Sequence, residues 1–263
     1  MRLPSFRPAL LVALALAVPL AGCATGKNKK GSESNRYIAR DVDTLYNLAK
    51  EELDAKDYKG AALLFDEVER QHPYSIWARR AELMSAFSHY LAHDYPESIE
   101  AAQRFTSIHP GNKDAPYALY LIAVDYYEQI ADVYRDQKIT QQALDAMGEL
   151  IRRYPDSAYA ADARLKIDLI NDHLAGKEME IGRFYQRRHD WLASVIRFRK
   201  VVDTYQTTSH TPEALMRLTE SYLELGVLDE AKRSAAVLGA NYPGSDWYSH
   251  AYALIQKKEG GKA

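Results

Sequence analysis

Cysteine is almost missing from this 263-residue chain: there is one, Cys23. A single thiol excludes an intramolecular disulfide framework and any CxxC-type metal or redox site. Helix breakers are scarce too, with 13 glycines and 10 prolines, and a chain so poor in them is expected to be all-helical. No excess of one charge exists. Lysine and arginine total 34 against 36 acids, for a net charge of −2, so the basic footprint of a nucleic-acid binder is lacking. Catalytic strings are lacking as well: there is no Gly-rich phosphate loop and no GxSxG. His89 and His93 stand at i, i+4, but in HYLAH rather than HExxH, and both are expected on the surface at a helix end. The neighbouring acids Glu51 and Glu52 face different ways on a helix. No cofactor, metal or catalysis is expected. What the chain does have is an ordinary globular balance, 47% apolar and 27% charged, enough length for one large domain or two small ones, and 19 tyrosines.

The amino terminus is an address. Arg2 and Arg7 precede an apolar run from Ala9 to Leu20, which ends in Leu20-Ala21-Gly22-Cys23. About a dozen apolar residues are too few to cross a hydrocarbon core and read as a secretory signal over residues 1–22. The L-A-G-C string is similar to the lipobox of bacterial lipoproteins, in which cleavage exposes the cysteine for acylation; the alternative is a plain signal with a chance cysteine. Three acyl chains would anchor stably where one binds only marginally. By the sorting pattern of such lipoproteins, Ala24 after the cysteine implies the outer membrane. Cleavage would remove Arg2 and Arg7 and no acid, taking the net charge from −2 to −4. Residues 23–40 are expected to form the acylated cysteine and a polar tether reaching roughly 20 Å. Lys27, Lys29 and Lys30 either brush anionic headgroups or belong to a solvated linker.

The remainder is a repeat array. His72-Pro73-Tyr74-Ser75, His109-Pro110-Gly111-Asn112, Tyr154-Pro155-Asp156-Ser157 and Tyr242-Pro243-Gly244-Ser245 recur, with a degenerate copy at Tyr205-Gln206-Thr207-Thr208. Each ends one amphipathic segment and precedes another, the behaviour of proline followed by Gly, Asp, Asn or Ser. Within copies, Ala61 and Phe65 or Ser194 and Phe198 have the small-plus-aromatic spacing of a tetratricopeptide hairpin, and Ser98, Ala102 and Phe105 form the matching face of the second copy. The expected fold is therefore all-α: a right-handed α-solenoid of five tetratricopeptide-like helix–turn–helix repeats over residues 41–256. The copies run near 42–75, 79–112, 115–157, 158–209 and 211–245, and residues 257–263 form a flexible tail. About eight extra residues lengthen the third connection, within Tyr126 to Gln137. One long helix is expected from Ser157 to about Arg188, with Gly176 as a possible kink.

Read together, these features resemble the BamD family of tetratricopeptide lipoproteins over essentially the whole mature sequence. The residues that carry the resemblance include the lipobox Cys23, Leu45-Tyr46 with Phe65, and Asp132-Val133-Tyr134-Arg135-Asp136-Gln137. Tyr154-Pro155-Asp156-Ser157, Arg183-Phe184-Tyr185, Trp191 and Arg197 continue it. Tyr205-Gln206 departs from the family's Tyr-Pro and puts that turn in doubt. The resemblance implies a non-enzymatic scaffold on the periplasmic face of the outer membrane, lipid-anchored through Cys23. Its implied partners are the periplasmic domain of a barrel-forming subunit, accessory lipoproteins of the same complex, and unfolded outer-membrane proteins; nucleic acid is not among them. The other role weighed for such a lipoprotein is coordination of cell-wall synthesis or constriction.

Two surfaces follow. In tetratricopeptide proteins the first helices of the repeats line a groove; transferring that geometry gives Tyr46, Lys50, Arg80, Phe87, Tyr90 and Tyr120 as candidates for gripping a client segment that ends in an aromatic residue and a carboxylate. Charge marks the second surface. Residues 41–69 hold nine acids against three lysines, whereas residues 183–200 hold six cations against Asp190 alone. Arg183, Arg187, Arg188, Arg197 and Arg199 are accordingly candidates for contact with an acidic barrel subunit, Arg197 foremost by the family resemblance.

Overall fold

The computed structural model describes residues 40–260; Cys23, the signal segment, the tether up to residue 39 and the last three residues lie outside the described residues. Eleven α-helices follow in chain order among them: α1 Val42–Asp54, α2 Tyr58–Gln71, α3 Ile76–Leu91, α4 Tyr95–Ile108, α5 Ala115–Glu128, α6 Lys138–Arg153, α7 Ala158–Arg187, α8 Trp191–Thr204, α9 Thr211–Glu224, α10 Leu228–Asn241 and α11 Asp246–Gly260. Successive helices pack as hairpins, and α1 on α3, α3 on α5, α5 on α7 and α9 on α11 add the stacking between hairpins. The result is an all-α solenoid of five hairpins closed by α11. Because α11 runs to Gly260, the expected tail from residue 257 is helical for its first four residues. Arg40, expected in the tether, is instead tied to the first hairpin: its N–H donates to Gln71 and its carbonyl lies 2.8 Å from His72 Nε2.

One small position repeats down the second helices. Ala61, Ser98, Ala143, Ser194 and Ala231 are all fully buried and let the paired helices approach closely. One turn later come Phe65, Ala102, Met147, Phe198 and Ala235, then Val68, Phe105, Leu150, Val201 and Leu238, all buried. At the fourth hairpin the fit is closest. A Cβ on Gly182 would lie within 2.4 Å of the Phe198 ring, so the first helix there must carry glycine.

Four of the five hairpins turn the same way. Lys56, His93, His189 and Gly226 have φ of 65°, 58°, 61° and 77°, each the left-handed residue just past a helix end. In each case that residue's N–H and the next one's reach back to the helix carbonyls, as in Asp57 N to Glu52 O at 2.9 Å and Lys56 N to Leu53 O at 3.0 Å; the pairs at His93, His189 and Gly226 match. This is the Schellman motif, which satisfies the last carbonyls of the helix. The third hairpin lacks it, since residues 129–137 intervene between α5 and α6. That connection is braced by its own side chains: Gln137 donates to the carbonyls of Asp132 and Arg135, and Asp132 accepts from Tyr134 N.

Turns between hairpins are also alike. Ser75 N donates to His72 O, Asn112 N to His109 O, Ser157 N to Tyr154 O and Ser245 N to Tyr242 O; Thr208 N reaches Tyr205 O at 3.0 Å in the same pattern. The proline missing after Tyr205 therefore leaves the turn intact. α7 is one uninterrupted helix of 30 residues, roughly 45 Å long at 1.5 Å per residue, and Gly176 does not break it. Its first half packs on α5, where Tyr159 stacks beside Tyr117 and Tyr120; its second half packs on α8 through Gly182. Val133 and His210 close over Gly176, at 3.6 and 3.2 Å from where a Cβ would stand.

Candidate protein-binding surfaces

An open cleft of about 770 Å³ lies where α1, α3, α4 and the turn after α4 meet. Ser75 caps α3 by accepting from Ala78 N, and the helix that it starts carries Ile76, Arg79, Arg80, Leu83 and Met84 into the lining. Tyr46 comes from α1, Phe105 from α4, and Gly111 to Asp114 form the opposite wall. Ile76 is 73% exposed, an apolar side chain that water covers poorly. Among the described residues, no acid pairs with Arg79, Arg80 or Lys113; Arg80 lies over the Trp77 ring at 5.5 Å. Asp114 is the single acid of the lining. Apolar floor, unpaired cations and an open mouth suit an extended segment with a negative end.

Of the candidates read from the sequence, Tyr46 and Arg80 line this cleft. Tyr46 is also half-buried between Phe65 and Trp77, at 5.4 and 4.6 Å between ring centres. Lys50 is exposed and outside the lining. Phe87, Tyr90 and Tyr120 belong to a different feature, an aromatic ladder across the first helices. Phe87 meets Tyr90 and Tyr117 at 6.5 Å each, and Tyr117 meets Tyr159 at 5.5 Å. Tyr120 donates to Asp162 at 2.7 Å, which also binds Lys166 at 2.8 Å; these two partners hold the Asp162 carboxyl below its usual range. Burial pushes the Tyr117 hydroxyl well up. Arg79 and Lys113, which a single helical stripe does not contain, join the lining from the start of α3 and from the turn after α4. The signal for Lys113 was present: a lysine follows His109-Pro110-Gly111-Asn112.

The basic fourth repeat looks different in the fold. Arg183 forks onto Glu213 of α9, with Nε donating at 3.0 Å, and also reaches Glu180. Burial works to raise the Glu213 carboxyl, but Arg183 and Arg217 hold it below the usual range. Arg197 and Lys200 converge from α8 on Glu178, at 3.1 and 2.6 Å, and Glu178 is itself 7% exposed. Arg199 lies 3.8 Å from Asp203. Among these candidates Arg183 and Arg197, with the neighbouring Lys200, thus pair with acids of the same chain. Arg188 stacks over Phe184 at 5.5 Å, and Arg187 is exposed. Exposed Phe184, Leu192 and Ile196, at 47, 64 and 60%, accompany them, an apolar component that the charge count had hidden. His89, expected at the surface, is half-buried, with Nδ1 at 3.8 Å from Asp94; His93 does lie exposed.

Stacked helical hairpins with a lined cleft define a tetratricopeptide-type solenoid, a class whose extended surface receives other chains. No helix among the described residues is long and apolar enough to cross a membrane. Residues 39–238 match the YfiO family, described as outer membrane lipoprotein, and the chain belongs to that family. The protein named outer membrane protein assembly factor BamD in Caulobacter vibrioides is 52% identical over 250 residues, covering 95% of this chain and 81% of the relative. Its namesake in Rickettsia prowazekii is 47% identical over 256 residues, covering 97% and 98%; that of Neisseria meningitidis serogroup A is 31% identical, covering 92% and 94%. A thermophilic TPR protein of Thermus thermophilus, 19% identical, superposes over 82% of this chain and 100% of its own with a TM-score of 0.38, too loosely to add to the assignment.

Proposed function

We infer that this chain is a non-catalytic assembly factor for outer-membrane proteins, a scaffold that joins a receiving cleft to a partner-binding surface on one stiff solenoid. The observation that carries the reading is near-complete coverage, at 47–52% identity, of relatives named for that role; those names do not favour a cell-wall role. Acylation at Cys23 would hold it at the periplasmic face of the outer membrane. The cleft of Tyr46, Arg79, Arg80, Leu83 and Lys113 would take the aromatic and carboxylate end of an unfolded barrel protein. Arg187, Arg188 and Arg199, with Phe184, Leu192 and Ile196, would meet the periplasmic domain of the barrel-forming subunit. Arg197 would act there only by leaving Glu178, so its role is as much to hold α7 to α8 as to touch a partner. Accessory lipoproteins of the complex are the remaining partners.

Affinity purification of the acylated chain from membranes tests this reading. The barrel-forming subunit should co-purify, and the double variant Arg187→Glu/Arg188→Glu should lower its recovery about tenfold while leaving helix content unchanged. Recovery of cell-wall synthases without the barrel subunit would contradict it.

A further inference from the structure

The far wall of the cleft hangs on a buried acid. Glu82 of α3 is 2% exposed. Its Oε2 is 3.5 Å from His109 Nε2 and its Oε1 is 3.7 Å from Arg104 Nε. Arg104 also reaches Glu69 of α2 at 3.5 Å, so two acids share one guanidinium. Neither Glu82 Oε1 nor Arg104 Nε completes a hydrogen bond. α1 and α5 pack on α3 as well, and among the described residues neither brings an ion pair to Glu82. His109 caps α4, and its carbonyl accepts from Asn112 N at 3.0 Å; Asn112 is itself part of the cleft wall. Glu82 thus ties α3 to α4 and, through His109, to the turn that faces Arg79 and Arg80, while Arg104 carries the link on to α2.

The charge states fit this loose geometry. Burial, helped by Glu69 and opposed by Arg104, pushes the Glu82 carboxyl up to about 7. Burial and Arg79 push the His109 imidazole down, against Glu69. Near neutrality the carboxyl is therefore close to its midpoint and faces an imidazole that favours its neutral form, at 3.5 Å.

We propose that Glu82 is a proton-gated tie for the cleft wall. When it releases its proton to solvent, the carboxylate draws Arg104 and His109 onto α3, shifts the turn at 109–114, and sets a negative charge behind a cationic cleft. An anionic chain end is then held more weakly. This regulation rests on reading the cleft as a peptide site. Direction follows from the raised acid: the tie is protonated at pH 6 and ionised at pH 8, so binding weakens as pH rises between them.

NMR of the purified full chain from pH 5 to 9 tests the proposal, following the Glu82 side-chain carboxyl and the Gly111 and Asn112 amides. In parallel, anisotropy measures a fluorescent decapeptide ending in Phe with a free carboxylate. The amides should follow the Glu82 midpoint, and affinity should fall about threefold from pH 6 to 8. Glu82→Gln, which keeps His109, should flatten both responses. A Glu82 carboxyl that titrates in the ordinary carboxylate range overturns the proposal, and so do amide steps that survive in Glu82→Gln. If the peptide fails to bind at every pH, the cleft reading falls, while the amide titration still decides the tie. If Glu82→Gln does not fold, the carboxyl and amide titrations of the unaltered chain decide it alone.

Discussion

The cleft at the first two hairpins and the α7–α8 hairpin both gather arginines, and they use them in opposite ways. In the cleft Arg79, Arg80 and Lys113 have no acid partner among the described residues, and Asp114 is the single acid of the lining. In the α7–α8 hairpin Arg183, Arg197 and Lys200 are spent on Glu213, Glu180 and Glu178 of the same chain. Available charge therefore runs against counted charge. A cation that closes an internal ion pair contributes to rigidity, and a cation left over an apolar floor keeps its charge available to an anionic group.

The largest effect that sharpens this contrast is steric. Gly182→Val drives a side chain into the Phe198 ring and should cost about 3 kcal/mol, read as a lower urea midpoint. The same change at Gly111, where no atom lies within 4 Å of a Cβ, should leave the midpoint unchanged. Next comes charge. Arg183→Ala leaves Glu213 leaning on Arg217 alone and should destabilise by about 2 kcal/mol, whereas Arg80→Ala should stay within about 0.5 kcal/mol. An equal loss at both positions would erase the distinction between structural and available arginines. Smaller still is the effect of a second buried acid. Asp125 is fully buried on α5, and burial pushes its carboxyl up to about 7, with Ser98 opposing. Its native form favours the proton, so stability is full below about pH 4 and is lost as pH rises toward 7. Asp125→Asn should raise the melting midpoint at pH 8 by about 3 °C and leave it nearly unchanged at pH 4.

Much of this architecture was legible in the sequence because it rests on local rules. The proline-containing turns, the Ala61/Ser98/Ala143/Ser194/Ala231 register and the long helix from Ser157 all follow from spacing. The turn at Tyr205 shows how redundant those rules are: it closes without its proline because the backbone bond from Thr208 suffices. Site residues were harder. Ion pairs such as Arg183 to Glu213 join residues 30 apart in sequence, and no periodicity announces them, although four of the six cations in residues 183–200 lie within ion-pair distance of an acid of the same chain. Lys113 was overlooked for a related reason, since a turn residue belongs to no helical stripe. The aromatic candidates split by neighbour: Tyr46 keeps an edge in the cleft, while Phe87, Tyr90 and Tyr120 stack within the ladder.

The central claim is that an anionic client end meets the cleft and not the arginine-rich fourth repeat. Amide chemical-shift mapping of the full chain with the Phe-ending, free-carboxylate peptide tests it most directly. The account predicts perturbations at Arg79, Arg80, Leu83 and Lys113, abolished by Arg79→Glu/Lys113→Glu. Perturbations confined to Arg187, Arg188 and Arg199 would contradict it.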